Sequence, residues 1–491
     1  MTNVRALLCN PAAIAWDAVP CRPVADLVSE TAAALQTGAR LCAWFGVPDG
    51  ANTVLVAVLA FDAQHQVGIA RSEPHRGPLP SLTAQHPQAQ AFEREVFEQY
   101  GLEPLGHPWL KPLRRVTGAD GGPIAFYSLG GGEVHEVAVG PVHAGIIEPG
   151  HFRFQCEGEL VRNLEIALGY QHRGAEAAFL AAPPAARWPL IETLAGDTSI
   201  GHGLAYAGVQ EALGGFQAPP RAQYLRAYAL ELERLANHTG DLGALANDVA
   251  FAPTSAVCGK VRGDFLNLTA LLCGNRFGRH WLRAGGVRWD LAGDRLRDSV
   301  ERLHAALADV ESAARWLWAS GSVRARFDVT GTLSGEIAAQ LGLVGPAARA
   351  SGRTTDVRAD HPWGAYAEMP VAPQVDRHGD VAARAAVRRL EIHETSDFLA
   401  RLLHNLPDGP LLGEPATLPA DHLAVALVEG WRGQICHVGL TGRAGQWRHY
   451  KVVDPSFLNW PGLAMALRDQ AISDFPLCNK SFNLSYCGHD L

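Results

Sequence analysis

At 491 residues the chain is too long for one ordinary hydrophobic core, and two domains are expected. With 47% apolar and 19% charged residues and a net charge of −8, it has a globular balance and no basic footprint for nucleic acid. It carries no apolar run of transmembrane length, and its N-terminus lacks the small-residue cleavage site of a signal peptide, so a cytoplasmic chain is expected.

In chain order, residues 24–35 (VADLVSETAAAL) predict a helix, and 40–47 and 52–61 (NTVLVAVLAF) predict strands of β-branched, apolar character. The Pro/Gly-rich stretch 76–82 interrupts regular structure. A charged helix is predicted over 89–100 (AQAFEREVFEQY), stopping at Gly101. Residues 112–134 are glycine-rich and read as a junction, followed by strands over 133–140 and 151–160. Beyond residue 160 helices dominate. Leu225, Tyr228, Leu232, Leu235, Thr239 and Leu242 recur at steps of three and four, as do Val300, Leu303, Leu307, Val310, Ala314 and Leu317. Two such seams imply helices packed lengthwise. The fold class read from this is α+β: a small α+β domain over 1–115, a linker over 116–134, and a mainly helical domain with small β elements over 135–491.

The nine cysteines are scattered, with no C-x-x-C pair, which argues against a disulfide framework and for small buried apolar residues.

The segments 140–176 (GPVHAGIIEPGHFRFQCEGELVRNLEIALGYQHRGAE), 231–243 (ELERLANHTGDLG), 274–291 (GNRFGRHWLRAGGVRWDL), 345–366 (GPAARASGRTTDVRADHPWGAY) and 455–457 (PSF) carry a resemblance. Together they resemble the large subunit of membrane-bound, energy-converting nickel–iron hydrogenases of the formate hydrogenlyase type, a group homologous to the 49-kDa quinone-site subunit of respiratory complex I. The stretches 79–83 (LPSLT), 92–102 (FEREVFEQYGL) and 106–111 (GHPWLK) are similar to the 30-kDa complex I subunit. Fusion of the two modules is typical of the formate hydrogenlyase group.

In those hydrogenases two C-x-x-C pairs hold the metals. The matching positions here are Ala195 and Thr198, then Ser485 and Gly488. Nickel in such a centre needs thiolates, which hydroxyl and glycine do not replace, so the nickel–iron centre is expected to be absent. Cys487 lies one position off, and Cys478 nine residues upstream does not complete a pair. In the complex I comparison, His143 matches the first histidine of a G-P-Q-H-P-x-x-H-G stretch. The second, headgroup-contacting histidine aligns with Ile147, and the quinone-binding tyrosine near Gly196 is missing. A quinone in the shared cavity would need other donors: His143, His202 or Tyr486.

The resemblance assigns further roles. Glu148 resembles the proton-relaying glutamate beside the hydrogenase metals, and Glu176 ends an H-R-G-x-E stretch. Arg349, Arg353, Asp356, Arg358, Asp360 and His361 come from a segment that lines the cavity in relatives. The catalytic candidates are therefore Glu148, His143, His202, Glu176, Arg353 and Asp356, whose carboxylates among arginines can pass protons. The alternative is that the charged residues are structural ion pairs at a domain junction. His172 and Arg173 read as core or capping groups. His202, Asp197, His489 and Asp490 offer a hard N/O set suited to zinc or another divalent ion.

The implied function is an oxidoreductase subunit of a membrane-associated, complex I-like assembly, passing electrons from a small iron–sulfur subunit to a quinone or other acceptor and coupled to antiporter-like membrane subunits. Its implied place is peripheral, at the cytoplasmic face of the inner membrane. The chain has no cluster motif and no G-x-G-x-x-G turn, so iron–sulfur clusters and any NADH or ferredoxin link belong to partners. The alternatives are a non-catalytic scaffold of such a complex and an active hydrogenase with unconventional ligands.

Overall fold

The computed structural model describes residues 5–491 apart from 116, 118–121, 123, 144 and 146. Part of the expected linker 116–134 and two positions of the loop before Glu148 thus lie outside the described residues.

The chain opens with β1 (Ala6–Leu8), β2 (Ala12–Ala15) and β3 (Cys21–Arg22), then α1 (Val24–Gln36), β4 (Arg40–Asp49), β5 (Asn52–Phe61), β6 (Gln66–Ser72) and α2 (Gln90–Tyr100). Helix α1 buries Leu27, Val28, Thr31, Ala34 and Leu35, one face at helical spacing. The sheet runs β1-β6-β5-β4, with β3 parallel to β6. Residues 53–60 of β5 are buried without alternation, because both faces of that strand are covered.

A second sheet is a meander of β7 (Val134–Val139), β8 (His151–Glu157) and β9 (Leu160–Ala167). The single strand expected over 151–160 is instead the first arm of a hairpin, turning at Gly158 (φ 58°), where a left-handed conformation favours glycine. Helices follow: α3 (Ala175–Ala181), α4 (Ser199–Gly214), α5 (Pro220–Asp248), α6 (Ala252–Cys273), α7 (Asp294–Ala319) and α8 (Val381–His404). The seam expected on α7 is the buried one, through Leu303, Val310, Ala314 and Leu317. Helix α5 is buried on nearly every side, charged residues included, and forms the axis of the bundle.

The chain closes with β10 (His422–Gly430), β11 (Gly433–Thr441), β12 (Trp447–Val453), α9 (Pro455–Ala466) and α10 (Tyr486–His489). These three strands lie in a region read as helical with minor β content. Their sheet gains a fourth, edge strand from β2, with Ala12 opposite Val425 and Ala15 opposite His422. The apolar core of the N-terminal sheet is continuous with Leu423, Val425, Leu427 and Val438 of this one. Salt bridges cross the same junction. Lys451 bridges Glu95 of α2 and Glu176 of α3, and Glu95 also meets Arg114. Burial works against ionising Glu95, but Arg114 and Lys451 outweigh it and hold its pKa at about 2. No helix among the described residues is long and apolar enough to cross a membrane.

Candidate functional site

The β10–β11 hairpin, the loop before α4 and the C-terminal segment converge on one buried region. In the loop, Asp197 is held at φ 64° and its carbonyl accepts from Asn237 Nδ2 (3.0 Å) and Trp431 Nε1 (3.0 Å). Thr198 Oγ1 accepts from Trp431 Nε1 (3.2 Å) and Arg432 Nη1 (3.3 Å), and that guanidinium stacks over the Trp431 ring at 3.8 Å. The Thr198 hydroxyl, expected from the resemblance at a thiol position, is thus already engaged by the hairpin, and Ala195 has no donor side chain.

At the second pair, Ser485 Oγ accepts the Gly488 N–H (2.9 Å), capping α10. A Cβ on Gly488 would fall 2.6 Å from Oδ1 of Asp454, so the Asp454 carboxylate fills the volume a side chain at 488 would need. Asp454 caps α9 through the Ser456 N–H (2.8 Å). Its other oxygen lies 3.1 Å from His202 Nε2. His202 Nδ1 lies 3.0 Å from His437 Nε2, and His437 Nδ1 lies 2.9 Å from the Tyr450 hydroxyl. All four side chains are buried.

This chain has a polarity. Burial, reinforced by the nearby His202, pushes the His437 pKa well below its usual value, and burial pushes the Tyr450 phenol well above its own. Burial also works against ionising Asp454, but the His202 hydrogen bond and charge, with Arg432, pull its carboxyl below the usual range. With Tyr450 protonated and Asp454 ionised, Tyr450 donates to His437 Nδ1, His437 Nε2–H donates to His202 Nδ1, and His202 Nε2–H donates to Asp454. Every hydrogen points toward the carboxylate.

Glu148 lies at the other face of the C-terminal segment. Its Oε2 accepts from the N–H groups of Tyr486 (3.2 Å) and Cys487 (3.4 Å). The His143 ring stands 6.1 Å from the Tyr486 ring and 5.5 Å from that of Phe152; its Nε2 is buried without a partner among the described residues, and burial lowers its pKa. The structure therefore brings Glu148, His143 and Tyr486 together, while His202 bonds to Asp454 and His437. Glu176 sits elsewhere, accepting from the Val452 N–H (2.9 Å) beside Lys451. Arg353 is exposed.

Asp356 belongs to a closed ion cluster. Arg349 meets Glu391 (2.8 Å), Glu429 (2.7 Å) and Asp356 (3.5 Å). Arg358 joins Asp356 (2.7 Å) to Glu231 (3.1 Å), and Arg234 (2.9 Å) completes the ring at Glu231. Every member is buried. Asp360 accepts from the Asp356 N–H (2.9 Å), and His361 reaches Asp62 of the N-terminal sheet (2.9 Å).

The hard N/O set does not converge. Asp197 faces Arg262 (3.5 Å), and Asp490 accepts from the N–H groups of Gly169 (2.8 Å) and Gln171 (3.0 Å) and from His489 (2.8 Å). Among the described residues no three such side chains are grouped to hold one metal ion. His172 bonds the Asp490 carbonyl (3.1 Å), and Arg173 donates to the Leu194 carbonyl (2.9 Å).

Sequence reasoning missed Asp454, His437, Tyr450, Trp431 and Arg432. It also missed Glu233, whose carboxylate accepts from the N–H groups of Ile200 (2.7 Å) and Gly201 (3.1 Å) and whose pKa burial pushes up to about 8. Two signals were legible. Asp-Pro-Ser at 454–456 is a helix-start pattern, and His437 follows the apolar pair Ile435-Cys436 and precedes Val438, where a polar ring needs a partner.

The sequence pattern described as "Respiratory-chain NADH dehydrogenase, 49 Kd subunit" matches residues 248–420, and that of the "30 Kd subunit" matches 22–124. Formate hydrogenlyase subunit 5 of Escherichia coli (strain K12) is 31% identical, over 83% of this chain and 76% of its own. The carbon monoxide-induced hydrogenase of Rhodospirillum rubrum is 31% identical over 71% of this chain and 97% of its own. In a solved structure of the membrane-bound sulfane sulfur reductase, an archaeal respiratory membrane complex, one chain matches with a TM-score of 0.68 at 23% identity, covering 73% of this chain and 99% of that one, a likeness of fold. The chain belongs to the family of complex I-type 30-kDa/49-kDa subunits that includes the large subunits of the formate hydrogenlyase type of membrane-bound hydrogenase.

Proposed function

We propose that the chain is the large peripheral subunit of a membrane-associated, complex I-like oxidoreductase that works without a nickel–iron centre. It takes electrons from a small iron–sulfur partner and delivers them to a quinone or another organic acceptor, with linked proton movement. The observation that carries this reading is the Asp454 carboxylate lying against Gly488, where the family's metal-binding sulfur would stand. Thr198 and Ser485 bring only hydroxyls, both engaged in hydrogen bonds, and a soft bimetallic centre does not fit that donor set.

Glu148 and His143 beside Tyr486 supply groups that donate, accept and move protons at the face of the C-terminal segment. The Asp454–His202 pair holds a proton at the socket itself. Antiporter-like membrane subunits and any NADH- or ferredoxin-linked module are partners in this reading, which places the subunit at the cytoplasmic face of the inner membrane. The test is purification of the whole complex, metal analysis and an acceptor-reduction assay. The expected result is background nickel, with turnover lowered by Glu148→Gln and by His202→Ala; about one nickel per chain would sink the reading.

A second reading, a scaffold that transmits conformational change, is favoured by the Arg349–Asp356–Arg358–Glu231 cluster, which spends its charges on itself. Unchanged turnover in both variants would select it.

A further inference from the structure

A cavity of about 940 Å³ lies between α2, the chain that follows it, and the surface formed by β9 and α9. Its floor is buried and apolar, with Leu164, Leu168, Phe457 and Trp460. Its mouth is different. Trp109, Tyr127 and Tyr170 line it while 39%, 53% and 37% exposed, an unusual gathering of large rings at one opening. Arg115 and Arg468 stand exposed beside them.

The charges are one-sided. Arg94, Lys111, Arg115, Arg162 and Arg468 line the cavity, although Arg162 is itself paired with Glu157 (2.8 Å) and Asp469; against them stands one lining carboxylate among the described residues, Glu165. That carboxylate is already taken by Lys111 (2.7 Å) and by the Tyr127 N–H (2.7 Å). Deeper in, the Arg94 guanidinium donates to the carbonyls of Lys111 (2.8 Å) and Pro112 (2.6 Å) and to Gln90 Oε1 (3.3 Å), all neutral oxygens. Burial pulls its pKa down to about 10. His151, 9% exposed, also lines the space and leaves Nε2 without a partner among the described residues. Arg94 is half-buried, and Glu98 and Glu165 act on it from nearby, but its hydrogen bonds go to neutral oxygens, and a guanidinium so placed biases a cavity toward anions.

We propose that this cavity binds an anionic amphiphile, a single long aliphatic chain ending in a carboxylate or phosphate, with its chain along the Phe457–Trp460 floor and its head at the cationic mouth. The volume falls in the range of small-molecule sites, about 300–1,000 Å³. The floor favours a chain over a nucleotide, because it offers carbon surface where a base edge would need several side-chain donors and acceptors.

The test uses the purified full chain loaded with cis-parinaric acid, a fluorescent fatty acid, and displaced by oleate, monohexadecyl phosphate or neutral hexadecanol. Both anions are expected to displace the probe, and hexadecanol roughly tenfold less well. Arg115→Glu with Arg468→Glu, both exposed and so neutral for folding, should weaken the anions about tenfold. Ala464→Trp, which fills the floor, should abolish binding. Failure of the probe to bind, equal displacement by hexadecanol, or full binding by the Ala464→Trp chain overturns the proposal. Flotation with anionic phospholipid vesicles, lost in the double variant, would assign the ligand to a membrane lipid. Oleate binding without flotation would assign it to a free fatty acid; both support the site. In the assembled complex, crosslinking of a partner's polypeptide to Trp109 or Tyr127 in place of bound lipid would overturn it and give the cavity to a protein.

Discussion

One two-residue turn serves two buried polar regions that handle their charges in opposite ways. Glu429, just before the turn, enters the ion cluster through Arg349, while Trp431 and Arg432, in the turn, grip the socket loop. The cluster is closed: carboxylates and guanidinia alternate around it, each charge meeting an opposite one within the cluster. The socket is a line, ending in a single carboxylate, Asp454, that lies against Gly488. At this end of the hairpin the contacts are hydrogen bonds to Thr198 and to the Gly196 and Asp197 carbonyls, not ion pairs. The turn is fixed in place by close contact: a Cβ on Gly345 would fall 2.1 Å from the Arg432 carbonyl. Rigid positioning of both regions thus rests on the same backbone.

The sharpest way to break this comparison is Arg349→Ala. It leaves Glu391, Glu429 and Asp356 without their shared cation, and the expected loss is about 3–5 kcal/mol of unfolding free energy in urea. Arg353→Ala, four residues on and exposed, should stay within about 0.5 kcal/mol. Similar losses for the two would mean that the cluster is not the stabilising unit described.

At the socket, Gly488→Cys should cost about 1–3 kcal/mol, because its Cβ collides with Asp454. Asp454→Ala in the same chain should recover part of that cost, a coupling read from a double-mutant cycle. Additive effects would show that Asp454 does not fill the position.

Acidity separates the groups around the socket. Asp454 and His437 have pKa values lowered by folding, so their contribution is present above their unfolded values and lost as pH falls. Glu233 runs the other way. Its pKa rises from 4.5 to about 8, so its contribution is complete below 4.5 and lost as pH climbs through 8. Glu233→Gln should therefore remove the fall in stability between about pH 4.5 and pH 8 and leave the profile outside that window unchanged. An unaltered slope between pH 4.5 and 8 in urea titrations would contradict the burial argument.

Much of this was legible beforehand, and the gaps have physical causes. Strand β5 was readable end to end because a central strand covered on both faces is a continuous apolar run. Strands β11 and β12 escaped because polar residues such as Gln434, His437 and Lys451 interrupt their pattern; their partners lie far away in sequence, at Arg40, His202 and Glu95. The resemblance points to Ala195, Thr198, Ser485 and Gly488 as the ligand positions, but nothing local in the sequence says that Asp454 packs against Gly488. Arg353 and Arg349 look alike in the sequence. Only the fold separates them, turning one to solvent and the other into the cluster.

The smallest expected effect belongs to Tyr450→Phe. The ring and its packing against Phe179 and Trp447 are retained, and only the O–H donor to His437 Nδ1 is lost. An acceptor lone pair is left unpaired, with no buried charge exposed, so about 1 kcal/mol is expected. The chemical consequence should exceed the energetic one. Tyr450 is the donor that obliges His437 to carry its hydrogen on Nε2, and so obliges His202 to point its own at Asp454. Without it both imidazoles are free to exchange tautomers. In chain labelled with ¹⁵N-histidine, the native protein should show one buried pair with fixed Nε2–H forms, and the Tyr450→Phe variant an averaged signal. A fixed pair that persists in the variant would mean the polarity is set from the Asp454 end alone.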